Sequence, residues 1–180
     1  MNPIGDLTRA WRGLVLTASG KPEAAAQFNP TPMGLAVALG WFLLAIILSA
    51  AAQSAAMGLP SAMQLLIGIF IQAVSVAALG LVTAQSFHFL RLGVAMTTLF
   101  VPIVWFMALV QVLAIPLSIL GPNAQLIAVL ALVALIWRAG VVLAGMRTGV
   151  AIAFALLCLM VLVVVPNALY IVFLQIPSPA

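Results

Sequence analysis

Charge is what this sequence has least of. Its 180 residues include two acidic side chains, Asp6 and Glu23, and six basic ones, Arg9, Arg12, Lys21, Arg91, Arg138 and Arg147. Only 4% of the chain is charged and 67% is hydrophobic, whereas water-soluble domains carry about 25% charged residues. Such a chain cannot cover itself with polar surface, so lipid must be its solvent. One cysteine, Cys158, excludes an internal disulfide and reads as a packing thiol. A single His and two acids cannot assemble a zinc or di-iron centre by themselves. HExxH, GxxxxGK[ST], GxSxG and paired carboxylates are all missing, so no base stands near a nucleophile. An enzyme is therefore not expected, and no cofactor is assigned. The first 30 residues lack the apolar core of a secretory signal. The nominal pI near 10.8 comes from a net charge of only +4. Its cations are spread over short segments, which is a topology signal and not a nucleic-acid surface.

What the chain does have is long apolar runs. A span needs ~20 apolar residues to cross ~30 Å of hydrocarbon. The runs lay out as five spans: Gly34 to Ala56, Ser61 to Ala84, Leu92 to Ile115, Ala124 to Met146 and Thr148 to Leu174. Turns are expected at Met57 to Pro60, Gln85 to Arg91 and Leu117 to Asn123, with Gly121-Pro122 at the centre of the last. Pro102 and Pro166 are expected inside spans, and Gln175 to Ala180 as a short tail. The expected fold is all-α: a polytopic bundle of five transmembrane helices with an N-terminal amphipathic helix. The expected division is residues 1–32 for that helix and its linker, and 33–180 for the spans.

Met1 to Gly20 reads as one helix, with Asn2 to cap it, Pro3 in its first turn and Gly20 at its exit. Ile4, Leu7, Trp11, Leu14, Val15 and Ala18 recur on one face, opposite Asp6, Thr8, Arg9, Arg12 and Thr17. Trp11 beside Arg9 and Arg12 suits a helix lying among headgroups. Packing against the protein's own bundle is the alternative. Thr31 reads as the N-cap of the first span, with Pro32 at its first position.

With five spans, every cation falls on one side: Arg9, Arg12 and Lys21 before the first, Arg91 between the second and third, and Arg138 and Arg147 towards the junction of the fourth and fifth. That side is the cytoplasm. The expectation is a multi-pass protein of a bacterial inner membrane, N-terminus inside and C-terminus outside.

The candidate interaction or interfacial residues are Trp11, Arg12, His88, Arg91, Arg138 and Arg147. Arg138 is the most unusual. In a span ending at Met146 it lies about 12 Å from that end, and a mid-span Arg costs at least ~2.5 kcal/mol. Either the helix leaves the bilayer near Trp137, or Arg138 faces the bundle interior and meets an amide or a freed carbonyl. His88, in QSFHFLR, stands alone at a boundary, where a surface place in an aromatic belt competes with ligation of a haem or pigment. Small residues step down the first two spans: Gly40, Ala45, Ser49, Ala52 and Ala56, then Ala73, Ala77, Gly80 and Ala84. Such stripes allow close helix contact. Gln53, Gln64, Gln72, Thr97, Thr98, Gln111 and Asn167 can bond between helices.

The segments KPEAAAQFNPTPMG, AQSFHFLRLG and IWRAGVVLAGMRTGVAIA resemble, in layout and local character, the bacterial branch of the Yip family of five-span proteins. The resemblance implies five spans and a cytoplasmic N-terminus, and it carries over no site residues. The vesicle-traffic role of the eukaryotic relatives does not transfer, because their long polar N-terminal domain is missing. The function expected is that of an adaptor, assembly factor or accessory subunit. Its partners would be the lipid bilayer and a membrane protein or a second copy, with no nucleic acid. A small transporter or channel component acting as an oligomer, through Arg138 and the intramembrane amides, is the alternative.

Overall fold

Six α-helices and one short 3-10 turn make up the protein in a computed structural model that describes residues 3–57, 61–118 and 122–174. They are α1 (Pro3–Ala18), the turn Pro22–Gln27, α2 (Pro32–Met57), α3 (Ala62–Leu90), α4 (Thr97–Ser118), α5 (Pro122–Val142) and α6 (Thr148–Leu174). The described residues contain no strand. The Asn2 cap, the turn over residues 58–60, the Gly121 half of the Gly121-Pro122 turn and the tail from Gln175 lie outside the described residues. α2, α3, α4 and α6 are each long and apolar enough to cross a membrane, and α5 has a shorter apolar stretch, Leu126–Val142. The chain is a multi-pass α-helical membrane protein.

Local chemistry sets the helix ends. The Thr31 hydroxyl accepts from the Gly34 amide at 3.1 Å, capping α2 with Pro32 in its first turn. Ser61 and Gln64 form a reciprocal capping box at the start of α3. At the other end of α3, Arg91 adopts a left-handed conformation (φ 47°, ψ 46°). The Leu92 amide there donates to the Phe87 carbonyl, and the Arg91 amide to that of His88. This is a Schellman exit built on a non-glycine. α1 leaves the same way at left-handed Gly20, whereas beyond α5 the chain turns at left-handed Gly145 and the Met146 amide reaches back to the Gly140 carbonyl.

Helix boundaries differ from the hydropathy layout by a few residues at both sides of the Gly121-Pro122 turn, where α4 runs on to Ser118 and α5 starts at Pro122, and by more in three places. α3 runs to Leu90, so Gln85 to Leu90 is helix and not loop. Nothing in AQSFHFL breaks a helix, and the exit waits for the Arg91 turn. α4 starts at Thr97 and not at Leu92. α5 ends at Val142, four residues short of Met146, because the chain turns at Gly145.

The helices alternate in direction. Trp41 meets Trp105 (ring centroids 6.4 Å apart), and eight residues further along α2 Ser49 accepts a hydrogen bond from Gln111, so α2 and α4 run parallel. Phe70 of α3 meets Phe173 of α6, whereas Phe89 and Leu90 line one shallow cleft with Val150 and Ala153, so α3 and α6 are antiparallel. α4, α5 and α6 pack as consecutive hairpins. One end of the bundle therefore gathers Pro32, Arg91, Thr97, Val142 and Arg147. All six cations belong to this end, because α1 packs beside the start of α2.

α4 is the central helix. Val101 to Ala108 are eight consecutive buried residues, apolar all round. α2 and α5 flank this stretch, and α1 with its following turn covers the rest. Pro102 sits inside it, where it leaves the Thr98 carbonyl without its helical partner. α3 leans mainly on α6 and touches α2 and α4 only sparsely.

Candidate functional site

Two places concentrate what little polar chemistry the chain has. The first is the clamp that holds the N-terminal segment on the cationic end. Ala10, Gly13 and Thr17 are the buried edge of α1. Their small size lets the helix approach closely, and the Thr17 hydroxyl folds back to the Gly13 carbonyl at 2.7 Å. Phe28, just past the 3-10 turn, lies on Gly13, where an added Cβ would strike its ring. Its other side meets Phe106 of α4 edge-on at 5.8 Å. Sequence periodicity placed Trp11 and Val15 on the same face as Leu7 and Leu14. In the structure Leu7 and Leu14 turn partly inward, whereas Trp11 (46% exposed) and Val15 (47%) stay outside. The apolar face is broad enough to be shared: one edge packs on α4 and α5, the other remains uncovered.

Arg138 closes the clamp. Its guanidinium stands where a side chain on Gly20 would go: a Cβ there would lie 3.1 Å from Arg138 Cζ. Gly20 is the exit residue of α1, so the cation sits at that helix's negative end. With α5 ending at Val142, Arg138 lies only about 6 Å along the axis from the helix end, half the distance expected from sequence. It also rests 5.8 Å from the Trp137 ring centroid. The Trp137 indole nitrogen is buried and has no hydrogen-bond partner among the described residues. No ion pair joins Arg138 to an acid among the described residues. The one salt bridge there is Arg9 with Asp6 on α1.

The other sequence candidates at this end are outward-facing. Arg12, His88, Arg91 and Arg147 are all exposed, and Phe89 beside His88 is 87% exposed. Arg147 contributes its backbone carbonyl to the Ala151 amide at the start of α6. Left-handed Arg91 was not legible from composition. The only signal for it is that no glycine stands where α3 must stop.

The second place is a cavity of about 320 Å³ inside the bundle, towards the uncharged end. Every one of the five long helices contributes to it: Phe42 and Ser49 from α2, Gln72 from α3, Gln111 from α4, Leu132 from α5 and Leu162 from α6. Gln111 Nε2 donates to Ser49 Oγ at 3.3 Å. The structure thus gathers Gln72 and Gln111 but sets Arg138 apart from them, at the other end and facing α1. Other polar residues serve their own helices: Ser75 and Thr83 bond back to Ile71 and Leu79, Asn167 to Val163, and Gln64 caps α3.

Comparison with family models, with curated proteins and with solved structures gives no match. The fold defines an all-helical, multi-pass membrane protein with a docked N-terminal helix.

Proposed function

We propose that this is a non-enzymatic protein of a bacterial inner membrane that binds other membrane proteins, as an adaptor, assembly factor or accessory subunit. In this reading all five long helices cross the bilayer. α5 completes its crossing because its 21 residues span ~32 Å. The cationic end is cytoplasmic by the positive-inside rule. The relationship to the bacterial Yip-like proteins rests on the same layout. The observation that carries the reading is the clamp. α1 packs against the bundle through Ala10, Gly13 and Thr17 while one of its faces, with Trp11, Arg12 and Val15, is left uncovered at the same end as His88, Arg91 and Arg147. A surface ordered in advance binds at less entropic cost.

Co-purification from native membranes in mild detergent tests it. A stable foreign membrane protein should accompany the wild-type chain and be lost from Arg12→Glu. Recovery of the chain alone, as a homo-oligomer with a water-filled path, sinks the reading and favours a small transporter or channel component. The amide-bearing cavity is the observation on that side, although Arg138 does not belong to it.

A further inference from the structure

The bundle cavity has a chemistry of its own. Among the described residues three polar side chains line it, Ser49, Gln72 and Gln111, and no charged one. Gln111 is bonded through its Nε2 to Ser49. The half-buried Gln72 side chain makes no hydrogen bond among the described residues. A primary amide left unpaired within a transmembrane bundle is costly, and such intramembrane polar groups mark binding sites.

The cavity also has a neighbour. A second, apolar groove of about 390 Å³ lies between α2 and α3, lined by Leu43, Ile46, Ala73, Ala77 and Gly80. Phe42 belongs to both walls, and Gln72 and Ala73 are adjacent in the chain. Ala73 and Ala77 of the small-residue stripe of α3 therefore border open space, whereas Gly80 packs closely on the Phe100 ring of α4. Sparse contact between α2 and α3 leaves this groove facing the bilayer.

We propose that the cavity binds one neutral lipid that enters sideways from the bilayer between α2 and α3. Its uncharged carbonyl- or hydroxyl-bearing head bonds to the Gln72 and Gln111 amides, and its aliphatic tail lies in the groove past Phe42. Each part of this ligand answers an observation. The amides both donate and accept, so a carbonyl or a hydroxyl satisfies them. The uncharged walls exclude an ionised head, which would be buried without a counter-charge. A cavity of 320 Å³ lies at the small end of ligand sites, which run from about 300 to 1,000 Å³. It accepts a head and a short length of chain, and the 390 Å³ groove takes the remainder. The site is independent of the adaptor reading, because it lies towards the other end of the bundle and shares no residue with the exposed cationic surface.

The test is photolabelling of the full chain in liposomes with a diazirine-bearing long-chain alcohol, mapped by peptide mass spectrometry. Adducts should fall on cavity-facing Met107 and Leu162 and be competed by excess unlabelled hexadecanol. Gln72→Leu should lower the cavity adducts several-fold. Ala77→Trp, on an exposed α3 position, should lower them by obstructing the groove while leaving the fold intact. A sulfonate-headed diazirine probe of equal chain length should label the cavity at least tenfold less. Adducts confined to outward-facing Leu156 and Met160 would overturn the proposal. So would cavity labelling indifferent to both variants, or equal labelling by the anionic probe.

Discussion

Gly20→Ala should release α1 from the bundle, and its cost can be separated into two parts. Gly20 has φ +74°, a conformation that costs an L-residue roughly 1–2 kcal/mol. The new methyl would also meet the Arg138 guanidinium. Moving that cation forfeits its interaction with the α1 terminus, typically ~0.3–1 kcal/mol. The sum is about 2 kcal/mol, or ~30-fold in the docking equilibrium. Hydrogen exchange read by mass spectrometry over residues 7–18 should show protection falling by that factor. Gly145→Ala is the control for the backbone part alone: its φ is +65° and an added Cβ meets nothing within 4 Å. It should leave α1 exchange unchanged. Arg138→Ala removes the obstacle, so in the Gly20→Ala/Arg138→Ala double variant the steric part should vanish. Costs that add to within ~0.3–0.5 kcal/mol in this cycle would refute the claim that Arg138 fills the space over Gly20.

Other outcomes follow from the same structure. Phe106→Ala removes a fully buried ring and the Phe28 edge contact and should cost ~3–5 kcal/mol of bundle stability, read by unfolding in mixed micelles; a loss below about 1 kcal/mol contradicts the central place given to α4. Arg91→Gly should relieve a left-handed non-glycine and stabilise the α3 exit by about 1 kcal/mol, while any partner binding through that loop declines; a destabilised variant would mean that the Arg91 side chain holds the turn. A periplasm-only reporter fused after α6 should be active and one placed at Gly93 silent; the reverse pattern defeats the proposed orientation. Trp11→Glu puts a charge on the lip of the cleft shared with Trp41 and Trp105 and should weaken association of α1 with the headgroup layer; unchanged fluorescence quenching at Trp41 by lipid-borne quenchers would count against it.

The apolar helices were legible because hydropathy needs only composition over about twenty residues. The Thr31 cap was legible because TP before an apolar run has one mechanism. Helix ends were less so. The exit of α3 at Arg91 depends on a residue accepting a left-handed conformation against its own preference, which propensity cannot foresee. The four-residue difference at the end of α5 mattered most, because it moved Arg138 from deep within a span to about one turn from the exit. Nor could periodicity tell which edge of α1 packs inward. Ala10 and Gly13 carry little hydrophobic weight, yet their smallness is what lets Phe28 and the bundle come close.

The N-terminal segment and the cavity meet on one helix. α4 presents Trp105 and Phe106 to α1, Phe28 and α2, and within its next two turns presents Met107 and Gln111 to the cavity. A helix whose middle is buried on every side cannot shift locally without disturbing its neighbours. What covers Val101 to Ala108 on the side that α2 and α5 leave open is a segment too polar to span a membrane itself. α1 spends its small-residue edge on that cover and keeps Trp11 and Val15 for the outside. The six cations are not spent in acid pairs within the bundle, since the two acids lie on α1 and the following turn. Arg138 instead uses the end of α1 as its counter-charge, which ties the docking of that helix to the one cation within a long helix.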